Sequence, residues 1–119
     1  MKDLNKYPIA HYKIEGTFSY LDAGGEQTVL EITSNTMRIL HGIWLDLVNM
    51  TENGTVKIYY KIDGTNYREV TSAAFTVATD SDGFYIDVNM GIKYDFKVTY
   101  EEGGDEGADR AIPYQIIEI

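Results

Sequence analysis

The stretch TVKIYYKIDGTNYREV, residues 55–70, decides the fold. Val56, Ile58, Tyr60 and Ile62 alternate with Thr55, Lys57, Tyr59 and Lys61, the period of two of a strand with one buried face. Asp63-Gly64-Thr65-Asn66 then supplies the positive backbone angles of a tight turn, and Tyr67 to Val70 returns as the second strand of a hairpin.

The same alternation spreads outward in both directions. HYKIEGTFSYL sets Ile14, Gly16, Phe18 and Tyr20 on one face, and a turn at residues 22–26 leads into the strand QTVLEIT. Residues 37–50 are the most apolar segment, with Met37, Ile39, His41, Ile43, Leu45 and Leu47 on one side and Leu40, Trp44 and Val48 on the other. Gly42 in its middle marks a bulge or bend, and Trp44, Leu45 and Leu47 are expected to anchor the core or a subunit contact. Ala74 to Val77 reads as a separate short strand. Asp80-Ser81-Asp82-Gly83 is a turn, FYIDVNM a strand ended by Gly91, and YDFKVTY a strand with Tyr94, Phe96, Val98 and Tyr100 inward. IPYQIIEI is the last strand, and its proline suits an edge or a strand start.

This predicts an all-β, antiparallel β-sandwich, jelly-roll-like, of about seven to nine strands. Residues 1–11 read as a loosely ordered lead-in and 12–119 as one domain, long enough to bury a core without staples.

Composition narrows the chemistry. The chain has no cysteine, hence no disulfide framework. A net charge of −9, with its ten lysines and arginines scattered singly, argues against nucleic acid as a partner. No apolar run approaches the ~20 residues that cross a bilayer, and the N-terminus lacks the apolar core of a signal peptide; no membrane partner is expected, and the reading is a soluble protein.

No catalytic motif is visible. His11 and His41 have no acidic neighbour in sequence, and His41 reads as a core or interface histidine. Asp46, Asp87 and Asp95 are carboxylates without a pairing signal, so no catalytic residue is assigned and the chain is read as no enzyme. No cofactor is expected. Calcium is the alternative, because Asp80 and Asp82, or Asp105 and Asp109 within EEGGDEGAD (101–109), cluster hard oxygen ligands. The plain reading of that acidic segment is a solvated, flexible loop. Asn49-Met50-Thr51 and Asn53-Gly54-Thr55 fit the glycosylation pattern but read as turn residues.

Ten tyrosines and one tryptophan leave two readings of the surface. Trp44, Tyr59, Tyr67 and Tyr85 are the candidate binding or interface residues, either stacking on a sugar or closing a subunit contact.

The runs GIWLDLVNMTENGTVKIYYKIDGTNYREV (42–70) and FYIDVNMGIKYDFKVTYEEGGDEGADRAIPYQII (84–117) resemble small β-sandwich structural proteins of tailed bacteriophages and prophages. The likeness lies in the WLDL strand, the NGT turn, the YYKIDGTNYR hairpin and the acidic loop before the last strand. It implies a phage virion-associated assembly protein, found in the virion or in the bacterial cytoplasm before assembly. Its partner would be itself, as a homo-oligomer, or a larger protein assembly. The alternative is a carbohydrate-binding module with a glycan as partner.

Overall fold

The computed structural model describes residues 13–118; the lead-in 1–11, with His11, lies outside them. Eight strands run β1 Lys13–Tyr20, β2 Glu26–Ile32, β3 Arg38–Leu45, β4 Gly54–Tyr60, β5 Arg68–Phe75, β6 Phe84–Ile92, β7 Phe96–Glu102 and β8 Arg110–Glu118, with a single helical turn, α1, at Val77–Asp80. They form two antiparallel four-stranded sheets, ordered β1-β8-β3-β6 and β2-β7-β4-β5. This is jelly-roll topology.

The order follows from one long folded hairpin. β4 pairs with β5, β3 with β6, β2 with β7 and β1 with β8. In the pairs Gly54↔Phe75, Leu45↔Phe84, Ile32↔Phe96 and Tyr20↔Arg110, the partners lie nearly equidistant in sequence from Gly64 and Thr65. The Asp-Gly turn is therefore the tip of the whole fold. Gly64 has φ +81°, and Asp63 Oδ1 accepts the amides of Thr65 and Asn66, each at 2.8 Å, which closes the turn locally.

Inward side chains of both sheets meet in one core. Tyr20, Leu40, Ile43, Leu45, Leu47, Val56, Ile58, Phe75, Phe96, Val98, Tyr100, Ile112 and Ile116 are essentially without solvent contact. Each such aliphatic or aromatic side chain contributes about 1.5–3 kcal/mol of burial. Tyr20 and Phe75 both set rings edge-on to Tyr100, at 5.4 and 6.5 Å.

Several expectations need correction. Ile62 is exposed, because β4 ends at Tyr60 and residues 61–67 form the loop. β5 runs unbroken to Phe75, and Val77 opens α1 instead of closing a strand. Gly91 does not end β6, which continues through its pairing with Ile39. Tyr94 precedes β7 rather than pointing into the core from it.

The largest revision is in β3. Its register with β6 jumps between Leu40 and Gly42, so that Val88 and Asn89 together oppose His41. Asn89 takes φ +43°, a left-handed conformation that asparagine tolerates. The bulge switches the parity of the strand: Leu40 turns inward, while Met37, Ile39, His41 and Trp44 face solvent and Leu45 and Leu47 stay buried. His41 is accordingly a surface residue, with Nδ1 3.1 Å from Asn89 Oδ1. Trp44 does not anchor the core.

Pro113 is not on an edge, since β8 lies between β1 and β3. The β3–β8 ladder ends at the Leu45↔Tyr114 pair. Beyond it the Asp46 amide donates to the Pro113 carbonyl at 2.8 Å. The proline nitrogen shares that side of the strand, just past the ladder, where its missing N–H costs no sheet hydrogen bond.

Candidate functional site

The four aromatic candidates divide between the two outer faces. On the β1-β8-β3-β6 sheet, cross-strand register aligns Glu15, Gln115, Trp44 and Tyr85 in one transverse row across all four strands. Trp44 is 46% exposed and Tyr85 38%, and their ring centroids lie 4.7 Å apart at a 48° tilt. Gln115 Nε2 donates to Glu15 Oε1 at 3.3 Å. Met37, Ile39 and Val48 extend the exposed apolar surface along β3 and just beyond it.

Beside the indole lies a shallow cleft of about 240 Å³ lined by Trp44, Asp46, Pro113, Tyr114 and Gln115. Asp46 is oriented by accepting the Val48 amide at Oδ1, 3.2 Å away. Gly16 makes room for the Tyr114 ring, because a β-carbon there would come within 2.6 Å of the phenol oxygen.

Tyr59 and Tyr67 belong to the opposite sheet face. Lys97 Nζ sits 5.1 Å from the Tyr59 ring centre and 4.6 Å from that of Tyr67, and Lys61 covers Tyr67 at 4.9 Å. The Tyr59 hydroxyl donates to Glu26, which also accepts from Thr99 Oγ1 at 2.6 Å, and the Tyr67 hydroxyl donates to Glu31. The hydrogen bond to the Glu26 carboxylate pushes the Tyr59 phenol up to about 12. Burial, then the bond to Glu31, raises Tyr67 as well. Thr99 and then Tyr59 hold Glu26 below the usual carboxylate range. These rings are covered by ammonium groups and their hydroxyls are engaged, so they offer no open platform. The structure thus brings Tyr85 to Trp44 and keeps both away from Tyr59 and Tyr67.

The acidic segment is largely solvated, but one of its carboxylates is built into the fold. Glu106 is only 3% exposed. Its carboxylate accepts the Thr51 amide and hydroxyl, both at 2.9 Å, and the Glu52 amide at 2.9 Å, and pairs with Arg110 Nε at 3.2 Å. Burial alone would raise its pKa, but these donors outweigh it and the net shift is downward. Sequence reasoning missed this residue, because nothing in an acidic run separates the one carboxylate that turns inward.

Three of the four calcium candidates accept a backbone amide. Asp80 Oδ2 accepts the Thr76 amide, Asp105 Oδ1 the Gly107 amide and Asp109 Oδ1 the Asp22 amide; Asp82 is exposed in the turn before β6. Among the described residues no group of three or more acidic or histidine side chains is placed to hold a metal ion. Asp95 is bound to Lys61 and the Ser34 amide. It sits at the loop end with residues 61–67, whereas Asp46 follows β3 at the other end. No helix among the described residues is long and apolar enough to cross a membrane.

No protein-family profile matches the chain, and no curated protein resembles it in sequence. Solved structures do share the fold. A protein named PirA is 8% identical, with TM-score 0.54 over 94% of this chain and 95% of its own. The subunit of disulfide-linked pili that form Bacillus endospore appendages is 14% identical, with TM-score 0.54 over 91% and 86%. A mitogen from Yersinia pseudotuberculosis is 12% identical, with TM-score 0.50 over 92% and 86%. At such identities the chain is similar to these proteins in fold: an antiparallel jelly-roll sandwich.

Proposed function

We propose that the chain is a non-enzymatic assembly module that associates with a second copy of itself through the free edge of β5. The observation that carries this reading is the state of the four sheet edges. Edges present unpaired N–H and C=O groups, and proteins blunt them with charges and bulges. β1 carries Lys13 and Glu15 and is uncharged from Gly16 to Tyr20 but covered there at every other residue, β2 carries Glu26 and Glu31 with a register break, and β6 carries Asp87 with the Asn89 bulge. β5 has its charges only at Arg68 and Glu69, next to its own register break against β4 at Val70. From Thr71 to Ala74 it is uncharged and in unbroken register with β4, and only Ala73 of that run is more than lightly covered.

A second copy can extend this edge by antiparallel strand addition. Pairing centred on Ser72 would set Arg68 and Glu69 of each copy opposite Thr76 and Phe75 of the other, so no like charges meet. The pilus subunit of the same fold is supporting context. This chain has no cysteine, so its assembly would be non-covalent. The resemblance of residues 42–70 and 84–117 to tailed-phage structural proteins makes a phage or prophage virion the particle we favour.

Light scattering from micromolar to high micromolar concentration tests the reading. The expected result is a closed oligomer that Ala74→Lys converts to a folded monomer. A monomer throughout, or an oligomer indifferent to Ala74→Lys, would overturn it.

A further inference from the structure

We propose that the cleft beside Trp44 is a binding subsite for one neutral pyranose ring. Three features select that chemistry. The indole face is a half-exposed apolar plate, and the C–H face of a pyranose is its complement. Asp46 and Gln115 stand at the rim of the same cleft, and a carboxylate beside an amide is the pair that receives and donates to vicinal hydroxyls. The volume of about 240 Å³ is on the scale of one sugar ring and below the range of drug-sized pockets, roughly 300–1,000 Å³.

The rim also disfavours other ligands. Asp46 within the cleft and Glu15 in the adjoining row repel phosphates and carboxylates. Trp44 and Tyr85 lean on each other instead of enclosing a cage, which removes the multi-ring box that quaternary ammonium groups require.

The scaffold holds the parts in place. Trp44 and Gln115 are direct cross-strand partners on β3 and β8, and Trp44 and Tyr85 on β3 and β6. The Asp46 amide is tied to Pro113, and its carboxylate to the Val48 amide. The site is on the sheet opposite to β5, so it neither uses nor blocks the proposed assembly edge.

Trp44 is the only tryptophan, so its fluorescence and indole N–H resonance report the cleft directly. The experiment titrates the protein with the methyl glycosides of glucose, galactose, mannose and N-acetylglucosamine. At least one should saturate with a dissociation constant in the millimolar range or tighter. Asp46→Ala and Gln115→Ala should each weaken it about tenfold while the circular dichroism spectrum is unchanged, and Tyr67→Phe on the far sheet should leave it unaltered. Absence of any saturable change up to roughly 50 mM glycoside, well above a millimolar dissociation constant, would overturn the proposal. So would binding that survives the Asp46→Ala/Gln115→Ala double substitution, or saturation by tetramethylammonium alone. None of these failures bears on self-association, which is read at Ala74.

Discussion

The ring of Tyr85 lies across Gly42, so close that a β-carbon at position 42 would overlap the phenol oxygen. Gly42 is what lets the tyrosine of β6 cross over β3 and reach Trp44. Tyr100 and Gly54 stand in the same relation inside the protein, where a β-carbon at 54 would also lie 2.8 Å from the Glu101 carbonyl.

The two glycines therefore differ in what must yield. In Gly42→Ala the half-exposed Tyr85 can swing into solvent, and the cost is chiefly the lost aromatic pair, about 1 kcal/mol. In Gly54→Ala the fully buried Tyr100 and a backbone carbonyl cannot move aside, and overpacking should cost about 3 kcal/mol. Urea unfolding of both variants checks the order. The near-ultraviolet signal of the Trp44–Tyr85 pair should vanish only in the first.

Trp44→Ala should be tolerated. A core tryptophan would lose roughly 3–5 kcal/mol on truncation, but this ring is 46% exposed and makes one aromatic partnership, so about 1 kcal/mol is expected. Chemical denaturation followed by far-ultraviolet circular dichroism gives the answer. A loss as large as that of Gly54→Ala would mean that the indole is enclosed.

Much of the fold is legible in the chain because the core obeys the strand period in β4, β6 and β7. Val56 and Ile58, or Phe96, Val98 and Tyr100, are placed inside by alternation alone. β3 misleads because a bulge is a relation between two strands. Gly42 hints at it, but the mismatch exists only against the partners: β6 sets Val88 and Asn89 against His41, and against β8 it is β3 that carries the additional residue. The candidate site is harder still. Glu15, Gln115, Trp44 and Tyr85 become neighbours only through strand register, and no local pattern announces a row assembled from four distant segments. Tyr85 could be picked out as an outward aromatic and Trp44 as an anchor of either the core or a contact; Asp46, Pro113 and Gln115 as their companions could not.

Glu106 should govern acid stability. Its pKa is lowered on folding, so its contribution is complete above the ordinary carboxylate value of 4.5 and is lost as pH falls through the lower folded value. Glu106→Ala strands the Thr51 and Glu52 donors and the Arg110 charge, and should cost roughly 3 kcal/mol at pH 7. Glu106→Gln should cost less and flatten the fall in melting temperature below pH 4.5. An unchanged acid limb in Glu106→Gln would assign that limb to other carboxylates.

Calcium should leave the protein unmoved. Asp80, Asp105 and Asp109 accept backbone amides, and recruiting them to a cation would compete with two local turns and with the tie of Asp109 to Asp22. A site filled at a hundred times its dissociation constant would add about 2.7 kcal/mol, several degrees in melting temperature for a domain of this size. Scanning calorimetry with millimolar calcium and then with chelator should give superimposable transitions.

The tyrosines make the opposite prediction at high pH. Tyr59 and Tyr67 are raised by their carboxylate partners and by burial, and Tyr20 and Tyr100 chiefly by burial. A phenol with a raised folded pKa stabilises fully below its ordinary value of 10, and that contribution disappears as pH climbs through the folded value. Stability should therefore decline from pH 10 upward, with tyrosinate absorbance from these four residues appearing late and together with the loss of β structure. Glu26→Gln separates local from global causes. It removes the negative charge that holds the Tyr59 proton, so that phenol alone should titrate earlier, moving from about 12 towards 10, while Tyr100, buried on the inner side of the same sheet, keeps its late titration. If all four moved together, Glu26 would be supporting the sheet as a whole rather than one hydroxyl.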